Sequence, residues 1–155
     1  MIKTKNIILF ILIIFFLNNC GYTAKYSKDK NVNFSLEIIS LSGDREFNNS
    51  LRSKLNQYTE DTKSKIKKFM VSINSDYQKD IILKNSSGVA TEYKLKITVN
   101  FRINGNNVEK NYKMVETFNM KKMDDTFEES NYEKSIKDNF ANIIQRKLIF
   151  YLLEM

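Results

Sequence analysis

The chain has 155 residues, with 25 Lys+Arg against 18 Asp+Glu for a net charge of +7, one cysteine, and no histidine, proline or tryptophan. Without histidine, no Ser-His or Cys-His nucleophile can be assembled, no zinc-ligand spacing is present, and four glycines form no GxGxxG or GxxxxGK(S/T) loop. The basic balance permits an anionic partner, whether lipid head group, nucleic acid or acidic protein, but AT-rich coding alone would produce this abundance of Asn, Lys and Ile, so charge carries about half its apparent weight.

Lys3 and Lys5 precede an unbroken apolar run of 11 residues, 7–17, and Asn18 and Asn19 separate that run from Cys20. As a helix the run reaches about 16 Å, half of a bilayer's hydrocarbon core, which fits a signal-peptide h-region better than a spanning segment. Cys20 has no second cysteine to pair with. It stands in the frame Leu17-Asn18-Asn19-Cys20-Gly21, which resembles a bacterial lipobox. The resemblance implies a diacylglycerol on the Cys20 sulfur, cleavage before it and acylation of the new amino terminus. Asn18 and Asn19 depart from the small residues usual there, and an uncleaved signal anchor is the alternative. Gly21, where inner-membrane lipoproteins often carry Asp, points to the outer membrane. Residues 1–19 are thus expected to be a lipoprotein signal peptide, 20–33 a lipidated N-terminus and polar tether, and 34–155 a single domain. Without Lys3 and Lys5 the net charge falls from +7 to +5. Secretion also sets nucleic acid aside as a partner.

From residue 33 the pattern becomes periodic. Phe34, Leu36 and Ile38 alternate as a first strand, and Ser42-Gly43-Asp44 ends it. Asp44 or Ser42 can cap the helix that follows, whose apolar face is Phe47, Leu51, Leu55 and Tyr58. Residues 59–67 read as a charged loop or frayed helix end. Phe69, Val71, Ile73 and Tyr77 alternate as a second strand, with residues 81–83 either extending it or standing alone, and 85–88 form a turn. The clearest run is Tyr93, Leu95, Ile97, Val99, Phe101 and Ile103, interleaved with Glu92, Lys94, Lys96, Thr98, Asn100 and Arg102: one dry face and one wet face. Asn104-Gly105 then carries the strongest two-residue hairpin signal. The return strand has Val108, Tyr112, Met114, Phe118 and Met120 in matching parity, broken by Lys110 and Glu116 as on an edge. A helix of about 25 residues closes the chain over 126–155, with Ser130 and Glu133 as a capping box and a stripe from Tyr132 to Leu152. The acid pairs Asp124-Asp125 and Glu128-Glu129 fall at its start, where carboxylates favour the helix dipole rather than forming an acid/base dyad. No catalytic residue, metal or cofactor is expected. The order β-α-β-β-β-α, with single-faced strands, predicts an α+β fold: two helices on one face of a four-stranded sheet.

Together, the lipobox with Cys20-Gly21-Tyr22, the strand-helix opening, Tyr93-Lys94-Leu95-Lys96-Ile97, the Asn-Gly hairpin and a terminal helix with Ile143-Ile144, Leu148 and Tyr151-Leu152 resemble the LptE family of lipopolysaccharide-assembly lipoproteins. Ala141, the terminal helix's one alanine, departs from the Ala-rich helix common in that family. The resemblance implies a non-enzymatic outer-membrane lipoprotein that plugs and helps assemble the LptD β-barrel and assists lipopolysaccharide delivery to the surface. Its domain would face the periplasm or the barrel lumen. Lys94, Lys96 and Arg102, on the wet face, are then the candidate contacts to lipopolysaccharide phosphates or acidic lumen groups. Read singly, each is the solvated side of an amphipathic strand. A generic periplasm-facing lipoprotein adaptor shares the same fold and anchor. A lipid carrier is disfavoured, because strands with one wet face enclose no apolar cavity.

Overall fold

The computed structural model describes residues 32–59, 67–105 and 108–155. The expected signal peptide, Cys20 and the expected tether up to residue 31 lie outside them, as does the charged segment 60–66. Strand β1 (Phe34–Gly43) leads into helix α1 (Arg45–Leu55) and a single 3-10 turn (Asn56–Tyr58). Strands β2 (Lys67–Lys84), β3 (Ala90–Gly105) and β4 (Val108–Lys121) follow, then helix α2 (Thr126–Leu153). They form one sheet in the order β1-β2-β3-β4, parallel between β1 and β2 and antiparallel elsewhere. This is the expected α+β architecture, with α1 as the crossover that a parallel pair requires.

Period two decides which side is dry. Leu95, Ile97, Val99, Phe101 and Ile103 of β3 are all buried, as are Phe69, Val71 and Ile73 beside them on β2. From above, α1 contributes Phe47, Leu51 and Leu55, and α2 contributes Ile136, Phe140, Ala141, Ile144, Leu148, Ile149 and Leu152. Both helices therefore cover the same face. On β1 the alternation slips: a bulge between Ile38 and Ser40 leaves Ile39 exposed and returns Leu41 to the core side. On β4 only Met114 and Met120 are fully buried, as the interruptions at Lys110 and Glu116 predict for an edge. The end of α2 covers that edge: Tyr151 stacks on Tyr112 with ring centroids 4.1 Å apart. Phe150 and Leu153, on the other side of the same turns, stay exposed.

Two expectations are corrected, at the hairpin and at the cap of α2, and one open alternative is decided. The β3–β4 ladder runs through Asn104↔Glu109 to Gly105↔Val108, so Asn104-Gly105 is strand and not the turn; residues 106 and 107 lie outside the described residues. Gly105 serves packing instead: a Cβ there would lie 2.3 Å from Cδ1 of Phe69. Of the two alternatives for residues 81–83, the extension holds: β2 runs 18 residues through them to Lys84. Helix α2 starts at Thr126, as its expected range has it, but Ser130 is not its cap. Asp125 is its N-cap, its carboxylate accepting from the N–H groups of Phe127 and Glu128. Glu133 is thereby released to the sheet.

Gly43 carries the handover from sheet to helix. Its φ is +99°, and a Cβ would sit 1.7 Å from the carbonyl oxygen of Ser75. Only glycine lets the backbone pass so close, with Asp44 N–H donating to that same oxygen at 3.3 Å. Asp44 then caps α1, accepting from Phe47 N–H at 2.8 Å.

Candidate functional site

With both helices on one face, the other face of the sheet is open, and the register settles what it presents. Lys94, Lys96 and Arg102 all project from it, as expected. The structure does not gather them. Lys94 lies between Asp80 of β2 and Asn119 of β4, and Lys96 between Gln78 and Thr117. Arg102 is eight residues from Lys94, about 26 Å along the strand. Its guanidinium Nε pairs with Glu109 Oε1 at 3.4 Å. Asp76, Asp80 and Glu92 are interspersed, so the face is mixed in sign.

Two adjacent cross-strand rows differ from the rest. One is Ser40-Ser72-Arg102-Asn111, the other Ser42-Asn74-Asn100-Lys113. They line a shallow concavity of about 550 Å³, framed by small hydroxyl and amide side chains, with a cation in each row and no carboxylate. Small side chains make the hollow; their mostly exposed donors and acceptors make it a hydrogen-bonding floor. Sequence reading missed every member but Arg102. The signal was present as Ser-x-Ser, Ser-x-Asn, Asn-x-Arg and Asn-x-Lys on four strands, but only the register aligns them.

Charge on the covered face serves the fold. The ammonium of Lys137, 8% exposed, lies 3.2 Å from both Asp44 Oδ2 and Glu46 Oε2 and 4.1 Å from the centroid of the Tyr77 ring. Tyr77 donates its hydroxyl to Glu133 at 2.8 Å; burial, then that hydrogen bond, holds its proton well above the ordinary phenol range. Lys79 reaches Glu129 at 2.9 Å and Glu133 at 2.8 Å. Burial opposes its charge, but the hydrogen bonds to Glu133 and Glu129 prevail and raise it. Glu129 is held low by Lys79 and also accepts from Met123 N–H. The seam ties α1, β2 and α2 together where the apolar core thins. Each of these carboxylates is engaged by a cation, a phenol or a backbone N–H, and no group of three or more His, Cys, Asp or Glu among the described residues is placed to hold a metal. No helix among the described residues is long and apolar enough to cross a membrane.

The fold has solved counterparts. Rare lipoprotein B from Shewanella oneidensis superposes with a TM-score of 0.55 at 13% identity, covering 78% of this chain and 96% of that one. Lipoprotein B from Nitrosomonas europaea gives 0.54 at 16% identity, covering 82% and 92%. At such identities the likeness is one of fold. A sequence search of curated proteins finds no match. The family model for LptE, lipopolysaccharide-assembly, matches residues 32–150, the sheet and nearly all of both helices. The chain belongs to the LptE lipopolysaccharide-assembly family.

Proposed function

We propose that the protein is a lipid-anchored outer-membrane component, held through Cys20, that plugs and helps assemble an LptD-like β-barrel and assists lipopolysaccharide delivery to the cell surface, without catalysis. The observation that carries this reading is the open face. A sheet with one face under two helices and the other hydroxyl-, amide- and charge-bearing suits the aqueous lumen of a large barrel, where an apolar face would be costly. The two rows around Arg102 and Lys113 offer many hydrogen bonds and two cations, the complement of a phosphorylated saccharide head group. Lys94 and Lys96 supply a second, separate pair of cations farther along β3. A lipidated Cys20, with two acyl signals each adding about 0.8 kcal/mol per buried methylene, would keep the domain at the membrane.

The test is a mild-detergent pull-down of the full-length protein from its native membranes, followed by a high-salt wash. Near-equal recovery of one large β-barrel supports the plug. Recovery without any barrel removes it and leaves a lipopolysaccharide-assembly protein acting with another envelope complex.

A further inference from the structure

Strand β1 ends at Gly43, which pairs with Ser75, while β2 continues to Lys84. On that side residues 76–84 have no strand neighbour among the described residues, whereas their other side is paired with β3 without interruption from Asp76 to Ile81 and with register shifts beyond. Alternate residues there turn a backbone N–H and C=O outward, unused by the sheet. Natural edges are blunted by proline, a short strand, an outward charge or a bulge. This one has no proline, and Lys79 is drawn to Glu129 and Glu133 over the covered face. The register shifts only beyond Ile81, which leaves 76–81 straight. Past the core, Ile81, Ile82 and Leu83 are all exposed, and Val89 across the hairpin is too.

We infer that the free edge of β2 over residues 76–84 is a docking site for one extended segment of another protein, added as a fifth strand, with Lys or Arg opposite Asp76 and Asp80 and apolar side chains against Ile81–Leu83. Charge decides between occupants. A second copy extending the same sheet antiparallel over 76–81 centres on Gln78, Lys79 or Asp80. Those centres oppose Asp76 to Asp80, Lys79 to Lys79 or Asp80 to Asp80, and like charges directly opposite destabilise a pair. A basic, alternating strand satisfies the outward backbone groups and adds cations beside Asp76, which already accepts from Gln78, and Asp80, which lies opposite Lys94. The inference holds whichever envelope complex the chain serves.

The experiment places a photo-cross-linking benzoylphenylalanine at Gln78 or Ile82 of the full-length protein in its native membranes, with Asn119 on the opposite edge as control. Amide exchange of β2 is then compared between the extracted complex and the purified protein in detergent. The expected result has two parts: a cross-link from both edge positions to one segment carrying alternate Lys or Arg, and about tenfold slower exchange at alternate residues of 76–84. Asp80→Lys should cut that cross-link about fivefold. Cross-links to lipid alone, to a second copy, or to residues 1–31 of the same chain overturn the inference. So does a protein cross-link with edge amides exchanging as fast as in the purified protein.

Discussion

Single residues here do work whose kind the sequence conceals. Gly43 was legible as a break between a strand and a helix, but not as a point where backbone passes against backbone. Gly105 was misplaced into a turn, because no one-dimensional pattern reveals that the Phe69 ring occupies its missing Cβ position. Gly43→Ala should cost about 2 kcal/mol or more, since it combines a left-handed φ with a clash against a carbonyl that cannot swing away. A urea midpoint unchanged within error would show that β1 can shift to relieve it. Lys137 is the opposite case, a charge on what pattern alone marks as an inward position of α2. Removing one member of a buried ionic group leaves the others uncompensated, and Asp44 at 20% side-chain exposure is only partly rescued by water. Lys137→Ala should therefore lose about 2 kcal/mol in chemical denaturation. Lys147→Ala, removing an exposed partner of Glu116, should lose at most about 1 kcal/mol. Equal losses would show that the seam around Lys137 contributes no more than an exposed surface pair, since alanine is at least as good a helix former as lysine.

At the level of elements, legibility tracked periodicity. Strand β3 was readable residue by residue because six apolar positions alternate without exception and its buried face is the centre of the core. The far half of β2 was not, since Tyr77 and Lys79 face α2 through hydrogen bonds and ion pairs, which leave no apolar period to count. The same seam explains the misassigned cap of α2: Ser130 and Glu133 have capping-box spacing, yet Glu133 is engaged by Tyr77 and Lys79. Glu129 and Asp138 are both held below the ordinary carboxylate range, by Lys79 and Lys54 respectively. A depressed folded pKa stabilises the fold above the unfolded value, and that contribution disappears as pH falls through the folded one. Stability should thus begin to decline below about pH 4.5 and keep declining beneath it. Lys79→Met lets Glu129 titrate closer to its unfolded value, so the acid limb of a plot of stability against pH should become shallower. An acid limb parallel to that of the unmodified protein would assign the decline to other carboxylates.

The whole molecule separates its tasks by face: helices and apolar side chains on one side of the sheet, hydrogen-bonding side chains and mixed charge on the other. That division was legible, because β3 alone displays it. The grouping of polar residues was not, because a two-row array on four strands exists only once the register is set. The sequence singled out Lys94, Lys96 and Arg102 as one set; the register splits them, and the split makes a discriminating prediction. If phosphate groups are held by the hydroxyl- and amide-lined hollow, Arg102→Glu with Lys113→Glu should weaken binding of purified lipopolysaccharide about tenfold or more, by reversing two cations beside a floor without carboxylates. Lys94→Glu with Lys96→Glu should weaken it less, since neither lysine lines the hydroxyl- and amide-bearing hollow. All four positions face away from the core, so both double variants should keep the circular dichroism and urea midpoint of the parent. The reverse ranking would move the contact toward the hairpin end of the sheet. Equal, small effects would remove the open face as a phosphate site and leave it as a solvated surface.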